Sequence, residues 1–329
     1  MNPLIDSYLQ YISTVRRYSP RTSAVYREVL EEYASYGLDD PGDADAFVVS
    51  MTPTCVRNYE VHLLEDLRLG SRTVNLHLSV LSGFCRFLMT RGLLGSNPVR
   101  LVTRPKTEKR LPDFYRDEAM EKYLSDTEHA ASEDELELLK SLGPEAGGLA
   151  RKLYERRLRR LIVSFLHASG LRRAELAALD VRSLDTSRNI LKVKGKGDKM
   201  RDVPLVPVLV KEIGRYLEAA EAFFGGAPAA GDPLLRTPSG RRLYPVYIDR
   251  AVKTELDGVP DITGRKSPHV LRHTLATELL NGGSDLNAIK EMLGHSSLAA
   301  TQVYTHNSIE RLKAVYDKAH PRAKDPSDD

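Results

Sequence analysis

Apolar residues return at helical spacing through the first hundred positions. Leu4, Ile5, Tyr8, Leu9 and Ile12 form one stripe between Asn2 and Val15. Ser19-Pro20 supplies a cap followed by proline at the first helical position, and Val25, Val29 and Tyr33 continue on one face. Gly37 to Asp45 is a turn-rich break. A third helix is predicted over about Pro53 to Leu67. Gly70-Ser71 opens a fourth, with Val74, Leu78, Leu81, Phe84, Cys85 and Leu88 as its buried stripe. Asn97-Pro98 closes this unit, which is placed at 1–102.

The pattern then changes. Residues 103–112, TRPKTEKRLP, carry two prolines and four bases and read as a basic linker. It is either a solvated hinge or a strap across a DNA backbone, and the two are compatible. A second unit is placed at 113–320. Residues 114–140 look helical and acidic, Leu142 to Leu149 reads as a loop, and 151–169 as a basic helix that turns apolar. The one clear β region is NILKV and MRDVPL flanking the Gly-rich turn KGKGDK, a hairpin. Helices are predicted again over 207–224, 244–256, 269–281, 284–293 and 308–318. The polar tail 321–329 reads as disordered. The fold class is mainly α with a small β hairpin, in two domains.

Composition narrows the classes. The 329 residues are 41% apolar and 28% charged, an ordinary globular balance. A net charge of +3 is too small to announce a nucleic-acid partner, but its distribution is uneven. RKLYERRLRR at 151–160 holds six bases and one acid, whereas 117–137 holds nine acids and only Lys122 as a base. The basic helix reads either as a solvated face or as a DNA contact. Cys55 and Cys85 belong to no CxxC pair and are expected to be reduced, buried thiols. No apolar run approaches the ~18 residues of a membrane span, and the start MNPLIDSYLQ lacks a signal-peptide pattern. A cytoplasmic protein without a membrane partner is expected.

Six positions in the second unit could carry chemistry, and each is weak alone. Arg172 with Glu175 reads as a surface pair at i, i+3, and Lys196 as a solvated hairpin lysine. His269 and Arg272 share a helical face after Pro268. His269 with His273 at i, i+4 has metal-pair spacing, but Val270 stands where a zinc-protease helix needs glutamate, so no metal is expected. His295 follows Leu293-Gly294, and Tyr304 could be one more core tyrosine among 15.

Their joint order decides between these readings. Arg172, Lys196, His269, Arg272, His295 and Tyr304 are separated by 24, 73, 3, 23 and 9 residues. With the strings SGLRRAEL, VKGKGDKMRDVPL and PHVLRHTLATELLNGGSDLNAIKEMLGHSSLAATQVYTH, the chain resembles the tyrosine recombinase (phage-integrase-like) family, and within it the Xer type. SPRTSAVYREVLEEY and SRTVNLHLSVLSGFCRFLMTRGLLGSNP resemble that family's helical, SAM-like DNA-clamping domain. The resemblance runs from about residue 4 to 320. It also marks an acidic, Gly-broken insertion at about 126–150, of unassigned role.

The resemblance implies a mixed α/β catalytic domain that cuts and rejoins DNA. Tyr304 would attack phosphorus and hold the end as a 3′-phosphotyrosine. Arg172 and Arg272 would bind the non-bridging oxygens, since guanidinium is planar, charged and fork-shaped. Lys196 would protonate the leaving 5′-oxygen, His269 take the phenol proton, His295 donate to the phosphate, and Glu175 orient Arg172. No metal, ATP or other cofactor is needed. The expected partners are a duplex recombination site and a tetramer joined through the helix near Ser308–Lys318, docked on a neighbour rather than on its own subunit. A division-site DNA translocase and a second recombinase are also implied. The expected role is resolution of chromosome dimers before division. Alternatives are an integrase of a mobile element, a topoisomerase of the same chemistry, a non-catalytic DNA binder and a metal-dependent nuclease.

Overall fold

The computed structural model describes residues 2–107, 113–144, 147–195 and 199–294. They fall into two units, Met1–Arg110 and Leu111–Asp329. The first contains α1 (Pro3–Thr14), α2 (Pro20–Gly37), α3 (Ala44–Ser50), α4 (Pro53–Glu65) and α5 (Ser71–Thr90). Asn2, Ser19 and Thr52 each precede a proline and accept a backbone N–H of the first turn, which starts three of these helices. Helix α3 occupies part of what the turn residues suggested was a break. Asp43 caps it by accepting from the N–H groups of Asp45 and Ala46, and Phe47 carries it into the core. There the rings of Tyr33, Phe47, Tyr59 and Phe84 pack together. Cys85 is buried beside Met51. Cys55 is only half-buried, because the face of α4 that faces the core holds Val56, Tyr59 and Leu63 instead.

The second unit contains α6 (Asp117–Asp126), α7 (Glu133–Leu142), α8 (Gly148–Ser169), α9 (Arg173–Ala177), β1 (Leu184–Asp185), β2 (Ile190–Lys194), β3 (Met200–Pro204), α10 (Pro207–Phe224), α11 (Pro245–Leu256), α12 (Pro268–Asn281) and α13 (Leu286–Leu293). The strands form an antiparallel sheet in the order β1-β2-β3, with Lys194 opposite Met200 at the hairpin end. The N–H of Gly195 donates to the carbonyl of Lys199, one step beyond the last strand pair. Helix α8 is the axis of the unit. From Leu158 to Ser169 every residue but Arg159 is buried, and α7, α10, α11 and α12 pack against it. Among the described residues no helix is long and apolar enough to cross a membrane.

Four of the six cations in the basic half of α8 have partners within the unit. Arg156 pairs with Glu135, Arg157 donates to the carbonyl of Ser132, Arg159 pairs with Glu255, and Arg160 pairs with Glu212. Arg215 of α10 pairs with Glu133. Acidic residues of the 128–142 stretch thus neutralise arginines of α8 and α10. Arg160 and Glu212 are both buried, and Ser164 also donates to Glu212 at 2.9 Å. Removing one partner strands a buried charge. Glu212→Ala is expected to lower unfolding stability by roughly 3–5 kcal/mol, read in urea titrations. A loss below about 1 kcal/mol would be the value of an exposed pair and would contradict the buried network.

Candidate active site

The site is built on the ends of four elements. Helix α8 stops at Gly170, whose φ of +61° is the left-handed conformation that favours glycine. A Cβ there would lie 2.5 Å from Leu293 Cδ2 and 2.9 Å from Leu275 Cδ2, so a side chain would have to displace two buried leucines. The chain leaves through Leu171 and reaches Arg172, the N-cap of α9. Glu175, one turn later, accepts from the backbone N–H of Arg172 at 2.9 Å and from its Nη1 at 2.8 Å.

Three arginines then converge on one helix end. Helix α13 finishes with orphan carbonyls, as every helix does. The carbonyl of Met292 accepts from Arg201 Nε at 3.3 Å, that of Leu293 from Arg272 Nη2, and that of Gly294 from Arg172 Nη2 at 2.8 Å. Successive carbonyls therefore hold successive guanidiniums at the negative end of the helix dipole. Arg272 also donates through Nη1 to the carbonyl of Gly170 at 2.5 Å. It is 6% exposed, whereas the side chain of Arg172 is 37% exposed. Each of these two arginines keeps N–H groups with no acceptor among the described residues. That is the donor array a phosphate requires.

The electrostatics follow from this crowding. Burial, reinforced by repulsion from Arg172, brings Arg272 down to about 10, still a full cation at neutral pH. Burial pushes the Glu175 carboxyl up, but hydrogen bonds from Arg201 and from Arg172 outweigh it and hold the group below its ordinary value. His269 lies one turn before Arg272 on α12. Its pKa is lowered by partial burial and then by repulsion from Arg173, Arg272, His273 and Arg265. The shift favours the neutral imidazole, the form able to accept a proton. Helix α12 is itself pinned by Thr274, whose hydroxyl accepts from the N–H of Tyr115 at 2.9 Å.

Of the residues singled out from the sequence, Arg172, Glu175 and Arg272 come together, and His269 is on the helix of Arg272. Lys196, His295 and Tyr304 lie outside the described residues. The helix expected at 308–318 does too. The sequence reading passed over Arg201. The signal was present in MRDVPL: an arginine in the strand's inward register, two residues from buried Val203.

Comparison with known proteins decides the family. The phage integrase family matches residues 151–311, and the phage integrase N-terminal SAM-like domain matches residues 5–92. A tyrosine recombinase XerC of Chlorobaculum parvum is 35% identical over 327 residues, covering 97% of this chain and 94% of that protein. The chain belongs to the tyrosine recombinase family. A XerC of Pelobacter propionicus is 35% identical as well, over 331 residues and 99% of both chains. Among solved structures, the recombinase fold is shared with the Tn1549 transposon integrase in complex with circular intermediate DNA. That match has a TM-score of 0.63 at 18% identity, over 94% of this chain and 99% of the other. A lambda integrase dimer bound to a core site matches with a TM-score of 0.60 at 16% identity, over 92% and 97%. The recombinase thus combines the SAM-like helical unit with the mixed catalytic unit of its family.

Proposed function

We propose that this recombinase cuts and rejoins a specific duplex site through a 3′-phosphotyrosine on Tyr304, and that its cellular task is to resolve joined chromosomes before division. The observation that carries the chemistry is the run of carbonyls at Met292, Leu293 and Gly294 holding three guanidiniums immediately before His295. Full-length identity to XerC proteins supports the cellular task.

In this mechanism the Tyr304 phenolic oxygen bonds to phosphorus and the bond to the 5′-oxygen breaks. His269 takes the phenol proton, and Lys196 gives one to the departing oxygen. Arg172, Arg272 and His295 hold the charge that builds on the non-bridging oxygens. Glu175 orients Arg172. The phosphotyrosine conserves the bond energy, so rejoining uses no ATP, and no step uses a metal or other cofactor. Both units contact the duplex, largely through phosphates, so affinity falls steeply with salt. Strand exchange needs two duplexes and four active sites, hence a tetramer joined through the segment 308–318. A second recombinase and a division-site DNA translocase are its partners, in the cytoplasm.

Sequencing DNA fragments trapped covalently on the protein in its host tests this role. A single chromosomal site where replicated circles are separated is expected. Recovery of the ends of a mobile element instead would replace the role with integration while leaving the chemistry intact.

The pH dependence has a definite sign. A histidine held below 6.5 is mostly in its basic form at pH 7 and gains its proton as the pH falls. The profile of kcat/KM, which reports the free enzyme, should be flat near neutrality and fall on an acid limb centred below pH 6.5. A limb centred above pH 7 would remove His269 from the role of proton acceptor.

A further inference from the structure

We propose that Arg201 is a positioning residue that locks the Lys196 hairpin and the carbonyl end of α13 to Arg172, with Glu175 as the shared anchor. This rests on the recombinase chemistry above and adds to it a residue that never meets the DNA.

The geometry is specific. Arg201 stands on β3, is 7% exposed, and forms an end-on fork with Glu175: Nη1 to Oε1 and Nη2 to Oε2, both 2.9 Å. Glu175 receives four hydrogen bonds in all. Two come from Arg201, one from Arg172 Nη1 and one from the Arg172 backbone. That matches the roughly four acceptor sites of a carboxylate, so the anchor is saturated. The guanidinium's third face is turned to α13, with Nε donating to the carbonyl of Met292.

Gly294 records how closely the chain packs on this group, and Gly195 lies in ordinary contact with it. A Cβ on Gly294 would stand 3.1 Å from Arg201 Cζ, and Gly294 also has a φ of +66°. A Cβ on Gly195 would stand 3.5 Å from Nη1. Gly195 is next to Lys196 and Gly294 next to His295. One buried guanidinium therefore lies against the residue before Lys196 and the residue before His295 and, through Glu175, holds the side chain of Arg172.

Charge makes the same point. Arg172, Arg201 and Arg272 share one carboxylate, leaving a local surplus of two positive charges. A phosphodiester becoming a dianionic transition state needs that surplus, and the anchor keeps three like charges from pushing the site apart. Lysine in place of Arg201 keeps the charge but loses the fork.

The test compares unmutated protein, Arg201→Lys and Arg201→Gln on a nicked suicide duplex, with DNA affinity measured in parallel. Each protein is also given the same duplex with a 5′-bridging phosphorothiolate, whose sulfur leaves without being protonated. Single-turnover cleavage by Arg201→Gln should fall about 10- to 100-fold, less than or near the roughly 10²–10³ of a lost direct donor. Arg201→Lys should lie between it and the parent. DNA affinity should stay within about threefold, because no phosphate contact is lost. The defect should shrink on the phosphorothiolate, because part of it is the displaced general acid. If Arg201→Gln does not fold, Arg201→Lys carries the same comparison. Parental rates in folded variants would overturn the proposal. So would a loss of affinity in step with rate, or an equal defect on both substrates. Failure of the unmutated protein to form any adduct would instead overturn the recombinase chemistry on which the proposal rests.

Discussion

Tyr304→Phe is expected to form no covalent adduct on a suicide duplex while binding that duplex as tightly as the parent. The substitution removes one oxygen, the atom to which phosphorus must bond, and leaves the ring. Losing a nucleophile outright costs on the order of 10⁶-fold in rate, far more than losing any one charge partner. Affinity should hold because it comes from many phosphate contacts, none of them made by the phenol oxygen in the ground state. Gel-resolved adduct and a binding titration on the same sample separate the two quantities. Adduct formation by the phenylalanine protein would place the nucleophile elsewhere. Loss of binding in proportion to activity would make Tyr304 a binding residue.

Arg272→Ala is the second large effect, and it should differ in kind from Arg172→Ala. Both remove a cationic donor to the phosphate, so each should slow cleavage by roughly 10²–10³-fold. Their structural roles differ. Arg272 is buried and satisfies the carbonyls of Gly170 and Leu293. Removing it leaves two inward-facing acceptors unpaired, at about 1–3 kcal/mol each. Arg172 is over a third exposed, and Arg201 still anchors Glu175 without it. Cleavage kinetics and urea unfolding on both variants should therefore show equal catalytic defects and unequal stability losses, with Arg272→Ala the less stable protein. Equal stability would mean that the carbonyls at the end of α13 do not depend on Arg272.

Much of the fold was legible because long helices repeat their apolar stripe several times. The bounds of α10 are those expected, and α12 starts one residue earlier, at the proline. Short elements failed for the corresponding reason. The seven residues of α3 offer too few turns to show a period, and Asp43, Ala44 and Asp45 look like turn chemistry until the Asp43 cap is seen. The two residues of β1 carry no alternation at all. The acidic run 114–140, which looks helical in the sequence, resolves into α6 and α7 with a single 3-10 turn, Glu128–Ala131, between them.

The site divides in the same way. Residue types and their order pointed to Arg172, Glu175, His269 and Arg272, since the chemistry dictates which side chains are useful. What holds them was not legible. The carbonyls of Met292, Leu293 and Gly294 belong to the backbone, which every residue shares, so no residue type signals them. The pairing of α8 arginines with Glu135, Glu212 and Glu255 hid for a related reason. A basic stretch read by itself gives no sign that its counter-charges lie up to a hundred residues away.

The most direct measurement is the chemical identity of the bond between protein and DNA. Unmutated recombinase should be trapped on a nicked suicide duplex in the presence of excess chelator, digested, and the nucleotide-bearing peptide sequenced by mass spectrometry. The account predicts a 3′-phosphate ester on Tyr304, formed at the same rate with and without chelator. A modified residue other than Tyr304, or an adduct that appears only when divalent metal is supplied, would contradict it.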